Sequence, residues 1–189
     1  LDDAVFYEIY PQSFKDTDGD GIGNINGITE KLPYIKELGC TAIWINPCFE
    51  SPFLDAGYDV SDYCRVAPRY KLGMHVLLDL VPGHTSWEHP WFKESMKADR
   101  NEFTDRYVWT DSVWEEPAGY PSIRGISERD GSCAVNFFTH QPALNYGFYK
   151  PNAPWQQSMD SEGAVATREA LKDVMRFWLS RGCDGFRVD

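Results

Sequence analysis

Four short apolar runs stand out along the chain, and each is typical of a buried β-strand. They are rich in β-branched or aromatic residues, and each ends in a polar residue or a proline. Near-continuous apolar character favours the strands of a parallel sheet that is covered on both faces. The runs lie at residues 5–10, 42–46, 75–81 and 185–189.

Two segments between these runs carry apolar residues at helical spacing. One helix is predicted over residues 28–38 and another over residues 168–181. A glycine follows each segment, Gly39 and Gly182, where it provides a stop signal. Strand, helix and strand in repetition predict a parallel α/β architecture.

Residues 85–163 interrupt this alternation. They are rich in Pro, Gly, Trp, Asn and Asp, with one predicted helix at about residues 87–98. A connection of this length is uncommon unless it carries function, so an inserted subdomain is predicted here. The chain therefore divides into residues 1–84, the insert 85–163, and residues 164–189, which hold the last helix and strand.

The link between the second and third strands lacks its expected helix. Parallel neighbours need a crossover connection, which is normally helical. Residues 71–73, Lys-Leu-Gly, look like the tail of a helix whose body is absent. We therefore expect these two strands to be joined by a loop.

Charge and composition exclude several classes of partner. The chain has 18 basic and 29 acidic residues and a net charge of −11, which argues against nucleic acid or an anionic membrane surface. No apolar run is long enough to span a bilayer, and no feature indicates a protein partner. Aromatic residues make up 15%, and aromatic rings provide platforms for sugars as well as core packing. A neutral ligand fits this composition.

The five cysteines are predicted to be free thiols. Their number is odd, their spacings are wide and no C-x-x-C pair occurs, so a zinc site is not expected either. Buried free thiols are typical of a reducing compartment. With no signal-peptide pattern in the sequence, we expect a cytoplasmic protein.

An acidic loop near the N-terminus is the first candidate site. Carboxylates at alternate positions with intervening glycines can surround a hard cation such as Ca²⁺, which takes six to eight oxygen ligands. Position twelve of the loop is Gly27 rather than Glu, so it is not an EF-hand. A solvated acidic turn is the alternative. The predicted Ca²⁺ ligands are Asp16, Asp18, Asp20, Asn24 and the carbonyl of Ile22.

The last predicted strand supplies a second candidate site. Arg187 and Asp189 stand two residues apart and so share one face of the strand. Asp189 is a plausible nucleophile that Arg187 would keep ionised, although a structural ion pair explains the same pattern.

Two further segments carry groups that can bind a sugar. Tyr58 can stack on a ring while the adjacent Asp59 accepts hydrogen bonds from hydroxyls, and His84 can donate one. A turn and a structural histidine are the respective alternatives. Residues 141–145, Gln-Pro-Ala-Leu-Asn, read as a turn.

Taken in order, these segments resemble the α-amylase superfamily of glycoside hydrolases, family 13, over essentially the whole chain. Residues 79–84 and 185–189 are similar to two of its short motifs, and residues 5–14 to its first barrel strand. Residues 141–145 and the acidic loop are similar to its oligo-1,6-glucosidase and α-glucosidase branch. The resemblance implies the N-terminal half of a (β/α)₈ TIM barrel with a subdomain, domain B, inserted after strand three.

The resemblance also implies roles for individual residues. Asp189 corresponds to the nucleophile and Arg187 to the arginine that orients it. His84 and Asp59 correspond to residues that bind the sugar, with Tyr58 stacking below its ring. The implied reaction is retaining hydrolysis of α-glucosidic bonds in malto- or isomalto-oligosaccharides.

Other activities remain open within the resemblance. A transglycosylase or isomerase similar to trehalose synthase shares these residues, and so does a non-catalytic sugar-binding relative. The acid/base Glu of the family belongs to a later strand that is absent from these 189 residues, so we expect this chain alone to be inactive. Two positions depart from the family pattern, Gly83 where Asn is usual and Ala143 where Asp is usual.

Overall fold

The computed structural model describes residues 3–64 and 75–189, and the chain divides into two compact units. Residues 50–63 belong to the second unit together with the insert. The predicted boundaries lie at residues 84 and 163, whereas the second unit extends to Met175 and includes the segment after the second strand. That segment is bonded to the start of the insert. The amide of Ser86 donates to the carbonyl of Val60, at 3.0 Å. The first unit comprises Leu1–Phe49, Cys64–Leu80 and Arg176–Asp189, and the second Glu50–Tyr63 and Val81–Met175.

A parallel sheet forms the centre of the first unit. Its strands follow the order β1-β2-β3-β6, and every neighbouring pair is parallel, which confirms the predicted architecture. Most apolar side chains of β2 and β3 are buried, as their sequence pattern predicts, whereas β1 buries only Ile9 and leaves Phe6 exposed, and no residue of β6 is fully buried. The strands are β1 (Phe6–Ile9), β2 (Ala42–Ile45), β3 (His75–Leu80), β4 (Ser122–Arg124), β5 (Ser132–Ala134) and β6 (Gly185–Val188).

Four helices accompany these strands in the described ranges. They are α1 (Pro11–Phe14), α2 (Ile25–Glu37), α3 (Pro90–Ser95) and α4 (Glu162–Ser180). None of them combines the length and the apolar character that crossing a membrane requires.

The first residues of α2 and α4 are determined by capping side chains, which the spacing of apolar residues does not reveal. Helix α2 begins earlier than predicted because the side chain of Asn24 accepts from the amide of Gly27 and caps its first turn. Gly39, at φ +86°, follows its C-terminus as predicted. Helix α4 begins at Glu162 rather than at residue 168, and Ser161 Oγ accepts from the amide of Ala164 in its first turn.

The crossover between β2 and β3 stays a prediction. The proposed helix tail at residues 71–73 lies outside the described residues. Residues 46–64, which follow β2, contain no helix. The described part of the connection is therefore a loop, as expected.

The second unit has little regular secondary structure apart from α3 and most of α4. Strands β4 and β5 form an antiparallel pair. Its core contains stacked aromatic rings, such as Phe92 and Trp109 with centroids 5.9 Å apart. Hydrogen bonds from side chains to the backbone hold its loops, and buried Thr110 Oγ1 accepts from the amide of Ser132 at 2.9 Å. The insert predicted at residues 85–163 lies entirely in this unit.

The cysteines are free, as the sequence predicts. Cys133 and Cys183 are buried, whereas Cys64 is exposed. Burial raises the pKa of Cys48 to about 12, so its thiol stays protonated at neutral pH. Among the described residues, the acidic loop alone gathers three side chains of metal-binding type.

Candidate active site and metal-binding loop

Three charged side chains meet at the carboxyl end of the sheet in the first unit. Strands β3 and β6 are neighbours, and Asp79 lies opposite Arg187 in their register. Arg187 Nη1 donates to both carboxylate oxygens of Asp79, at 3.1 and 3.4 Å, and also to Asp189 Oδ1. The amide of Asp189 continues the pairing by donating to the carbonyl of Leu80, at 2.9 Å. One guanidinium therefore joins two carboxylates.

Burial differs between the two carboxylates. The side chain of Asp79 is 0% exposed, and that of Asp189 is 27% exposed. Burial raises the pKa of Asp79, and hydrogen bonds from Arg187 and from Trp44 Nε1 oppose this effect. The guanidinium also lies over the ring of Trp44, 5.3 Å from its centroid. Buried Asp79 thus holds the guanidinium of Arg187 through two hydrogen bonds, and the carboxylate of Asp189 remains accessible to solvent beside it.

Sequence reasoning missed the part that Asp79 plays in this cluster. The signal was present, because a buried charged residue requires a partner of opposite charge. Asp79 and Arg187 each stand within an otherwise apolar strand. Two opposite charges on strands predicted to be neighbours indicate such a pair.

The predicted sugar-binding residues come together in the second unit. His84 is 2% exposed, and its Nε2 lies 3.1 Å from the carbonyl oxygen of Tyr58. Its Nδ1 lies 3.1 Å from Nδ2 of Asn136, a residue that the sequence did not single out. The rings of Phe137 and His84 form a T-shaped contact, with centroids 6.1 Å apart.

Asp59 holds the loop that precedes it. Its side chain is fully buried and accepts three hydrogen bonds, from Ser51 Oγ at 2.7 Å, Leu54 N at 3.1 Å and Asp55 N at 3.2 Å. These bonds stabilise a loop in which Phe53 and Ala56 have φ values of +57° and +49°. In this structure Asp59 therefore organises the backbone, and its contact with a sugar stays a prediction.

Gln141 binds the same loop from the predicted turn at residues 141–145. Its side chain is fully buried; Nε2 donates to Asp55 Oδ2 at 2.6 Å, and Oε1 accepts from the amide of Phe138 at 3.2 Å. This contact joins segments 86 residues apart in sequence, which local turn chemistry does not indicate.

The acidic loop brings three of its five predicted ligands together. Carboxylate oxygens of Asp16, Asp18 and Asp20 lie within 4.8 Å of one another. Ca²⁺ binds oxygen at about 2.3–2.6 Å, so ligands around one ion are separated by distances of this size. The arrangement thus fits a hard divalent cation. Asn24 Oδ1 instead accepts from Gly27 N at 3.0 Å and from Thr17 Oγ1 at 2.8 Å, and serves as the cap of α2.

Backbone amides keep one carboxylate of this loop charged. Asp16 accepts from Gly19 N at 2.7 Å, Gly21 N at 2.9 Å and Asp18 N at 3.0 Å. The bonds from Gly19 and Gly21 lower the pKa of Asp16 to about 2. The carboxylate is therefore ionised, as a metal ligand must be, at any physiological pH.

Comparison with known proteins shows extensive similarity. Residues 8–189 match the model of the alpha-amylase catalytic domain family. A probable alpha-glucosidase of Rhizobium meliloti (strain 1021) is 43% identical over 211 residues, covering 98% of this chain and 35% of that protein. A probable oligo-1,6-glucosidase of Bacillus subtilis (strain 168) is 38% identical, covering 99% of this chain and 35% of that protein. The crystal structure of an isomaltulose synthase from Erwinia rhapontici NX5 superposes with a TM-score of 0.79 at 36% identity, covering 98% of this chain and 34% of that one.

The chain spans about a third of the length of the curated relatives it matches. The match to the Rhizobium protein extends over 211 residues, more than the 189 of this chain. That relative therefore has residues within the matched part that have no counterpart here. A shortened connection, such as the one predicted between β2 and β3, is consistent with this difference.

Proposed function

The chain belongs to the alpha-amylase catalytic-domain family, and from that membership we propose that the protein is a retaining α-glucosidase. Its substrates are short malto- or isomalto-oligosaccharides, whose α-glucosidic bonds it hydrolyses. In this proposal β1, β2, β3 and β6 correspond to the first four strands of the (β/α)₈ barrel, and residues 85–163 correspond to domain B. The observation that carries the proposal is the cluster of Asp79, Arg187 and Asp189 at the carboxyl end of the sheet, where barrel enzymes have their active sites.

The geometry supports a nucleophilic role for Asp189. Its carboxylate is partly exposed and is held by Arg187, which is itself anchored on buried Asp79. A carboxylate so oriented can attack an anomeric carbon and form a covalent glycosyl-enzyme intermediate. Departure of the leaving group requires a general acid, which the remaining part of the barrel supplies in this proposal. Water then hydrolyses the intermediate, and the anomeric configuration is retained.

A chimera tests this proposal directly. Residues 1–189 are joined to the part of the Rhizobium relative that follows its matched segment, and release of p-nitrophenol from p-nitrophenyl α-glucoside is measured. Asp189→Ala should lower kcat by at least about 10³-fold, because the covalent intermediate cannot form.

The control is an aspartate outside the site. Asp184→Ala, directly before β6, is not suitable because Asp184 Oδ2 accepts from the amide of Val76. Asp173→Ala, on an exposed part of α4, should leave kcat within about twofold. Full activity of Asp189→Ala would refute the assignment.

Transfer of the glucosyl group is the second candidate function. The similarity to an isomaltulose synthase, at nearly the same coverage as the glucosidases, favours keeping it. Both reactions form the same glycosyl-enzyme, and they differ in whether water or a sugar hydroxyl accepts the glucosyl group. Product analysis of the chimera with sucrose and with maltose separates them. An isomerised disaccharide indicates transfer, whereas glucose with an equal amount of fructose from sucrose, or glucose as the sole product from maltose, indicates hydrolysis.

The acidic loop supports a structural cation site within the same proposal. Asp16, Asp18 and Asp20 would hold Ca²⁺, and the ion would cross-link the loop that precedes α2. Ile22 and Asn24 remain predicted ligands, and Asn24 would have to present its side-chain oxygen to the ion while it caps the helix. The ion contributes to stability in this proposal and takes no part in the chemical step.

A further inference from the structure

Both ring nitrogens of His84 face hydrogen-bonding groups of the protein. Nε2 lies 3.1 Å from the carbonyl oxygen of Tyr58, and Nδ1 lies 3.1 Å from the side-chain amide of Asn136. The ring is almost fully buried and forms a T-shaped contact with the ring of Phe137. Two hydrogen bonds and one ring contact therefore fix the orientation of the imidazole.

The tautomer of His84 follows from the nature of these groups. A carbonyl oxygen only accepts hydrogen bonds, so Nε2 must carry the proton that it donates to Tyr58. In a neutral imidazole Nδ1 is then an acceptor and needs a donor. The NH₂ group of Asn136 is that donor, which fixes the orientation of the Asn136 amide as well.

Gly83 leaves the space that Asn136 occupies. A Cβ atom at position 83 would lie 2.8 Å from Nδ2 of Asn136 and would meet no other atom within 4 Å. This distance is shorter than contacts of real Cβ atoms, so a side chain at position 83 would displace the amide from His84. The departure from the family pattern at Gly83 is thereby connected with Asn136, a residue 53 positions away in sequence.

We propose that Asn136 is a positioning residue for His84: its amide donates to Nδ1, holds the ring in the Nε2–H tautomer, and depends on the absence of a side chain at Gly83. The inference rests on the proposed function in one respect, since His84 is a sugar-binding residue there, and its Nε2–H, which bonds the carbonyl of Tyr58 in this structure, would have to turn to or share with a sugar hydroxyl. No contact of Asn136 with substrate is required.

Ring ¹⁵N signals of His84 in the 189-residue chain test the tautomer without reference to activity. At pH 7 we expect a protonated Nε2 and an unprotonated Nδ1. In Asn136→Asp both nitrogens face acceptors, so both should be protonated at the same pH. His89 is an internal control, because its Nδ1 accepts from the amide of Trp91 at 3.1 Å and burial lowers its pKa to about 4. A protonated Nδ1 in the unmodified chain, or no change in Asn136→Asp while the His89 signals persist, would overturn the proposal.

A double-mutant cycle tests the dependence on Gly83. In the chimera, Asn136→Ala should lower kcat/KM by about tenfold, the effect of one lost hydrogen bond on a binding group. Gly83→Ala should have a similar effect because it displaces Asn136. The double variant should be no worse than Asn136→Ala alone, since the smaller side chain removes the clash. Independent, additive effects of the two substitutions would contradict the coupling.

The two tests separate failure of the inference from failure of the proposed function. A chimera without glucosidase activity whose His84 still shows the Nε2–H tautomer rejects the function and supports the positioning role. An active chimera whose His84 is protonated on Nδ1 rejects the positioning role alone.

Discussion

The two units hold their candidate functional residues by different means. In the first unit, charged side chains stand on neighbouring strands, and Arg187 joins Asp79 and Asp189 through ionic hydrogen bonds. In the second unit, His84 stands in a loop region and is held by neutral groups, the carbonyl of Tyr58 and the amide of Asn136. The first arrangement needs few contacts because the sheet provides the rigidity. The second depends on hydrogen bonds from separate loop segments, one from a backbone carbonyl and one from a side-chain amide.

This difference determines how much stability each region should lose when one partner is substituted. Loss of one partner in the ionic cluster leaves a buried charge, which is costly and depends on pH. Loss of one partner in the loop network removes hydrogen bonds made by uncharged donors and takes no cation away from a buried carboxylate, so it costs less and acts locally. The following substitutions examine that contrast in the 189-residue chain.

Replacement of Arg187 should produce the largest loss of stability. Arg187→Met leaves Asp79 buried without its cation, and we expect the free energy of unfolding to fall by about 2–3 kcal/mol at pH 7, less than for a fully buried pair because Arg187 is partly exposed. The pKa of Asp79 is already raised by burial and rises further in the variant. A carboxyl group with a raised pKa favours the folded state at low pH and loses that contribution as the pH rises through its folded pKa. The loss should therefore shrink towards pH 4.

Urea denaturation at pH 7 and pH 4 measures this effect. Arg124→Met is the matched control, because Arg124 forms an exposed ion pair with Glu116 at 3.5 Å and should cost no more than about 0.5 kcal/mol. A loss for Arg187→Met that equals the control, or that is the same at both pH values, would show that Asp79 does not depend on its cation.

Gln141→Leu should have the next largest effect. It removes both bonds of a fully buried amide and leaves the carboxylate of Asp55 and the amide of Phe138 without these partners. We expect a loss of about 1–2 kcal/mol, together with faster hydrogen exchange at Phe138 and at the amides around Asp55. Gln156→Leu is the control, since among the described contacts the side chain of Gln156 bonds only the exposed backbone amide of Asn152. Unchanged exchange at Phe138 would contradict the network.

The sequence predicted the first unit better than the second for physical reasons. Strands β1, β2, β3 and β6 are short runs of mainly apolar residues, so their composition identifies them. The position of Arg187 and Asp189 on one face follows from the period of two. The second unit is held by contacts between distant segments, such as that of Gln141 with Asp55. No local sequence pattern predicts contacts between distant segments. The contact of Asn136 with His84 was missed for the same reason. Caps such as Asn24 shifted helix boundaries that apolar spacing had placed too late.

Ca²⁺ should stabilise the first unit selectively. Isothermal titration is expected to detect binding of Ca²⁺, and Asp18→Ala should weaken it by about tenfold or more, whereas Asp99→Ala, at an exposed position outside the loop, should not. Protection from hydrogen exchange should increase at residues 16–24 and not in the second unit. If neither Ca²⁺ nor Mg²⁺ produces heat on titration, the proposed cation site is refuted.

The effect of pH on the loop follows from the pKa of Asp16. That pKa is lowered to about 2 by backbone amides, so the contribution of Asp16 to stability is present above its unfolded value of 3.8 and is lost as the pH falls towards 2. Competition by protons at Asp16 should therefore be absent near pH 5. A loss of Ca²⁺ affinity between pH 7 and pH 5 would have to come from another ligand.

The smallest effect concerns the strained loop of the second unit. Ala56 is held at φ +49°, a left-handed conformation that costs a residue with a Cβ about 1 kcal/mol and costs glycine nothing. Ala56→Gly relieves this strain but increases the entropy of the unfolded chain, so a net gain of about 0.5 kcal/mol is expected. Ala118→Gly is the matched control, because Ala118 is exposed in a turn and is not among the residues with positive φ, and it should lose about 0.5 kcal/mol. If both substitutions change the free energy of unfolding equally, then the bonds of Asp59 and Gln141 do not hold the loop in a strained conformation, and the contrast between a rigid sheet and a strained loop network fails at this point.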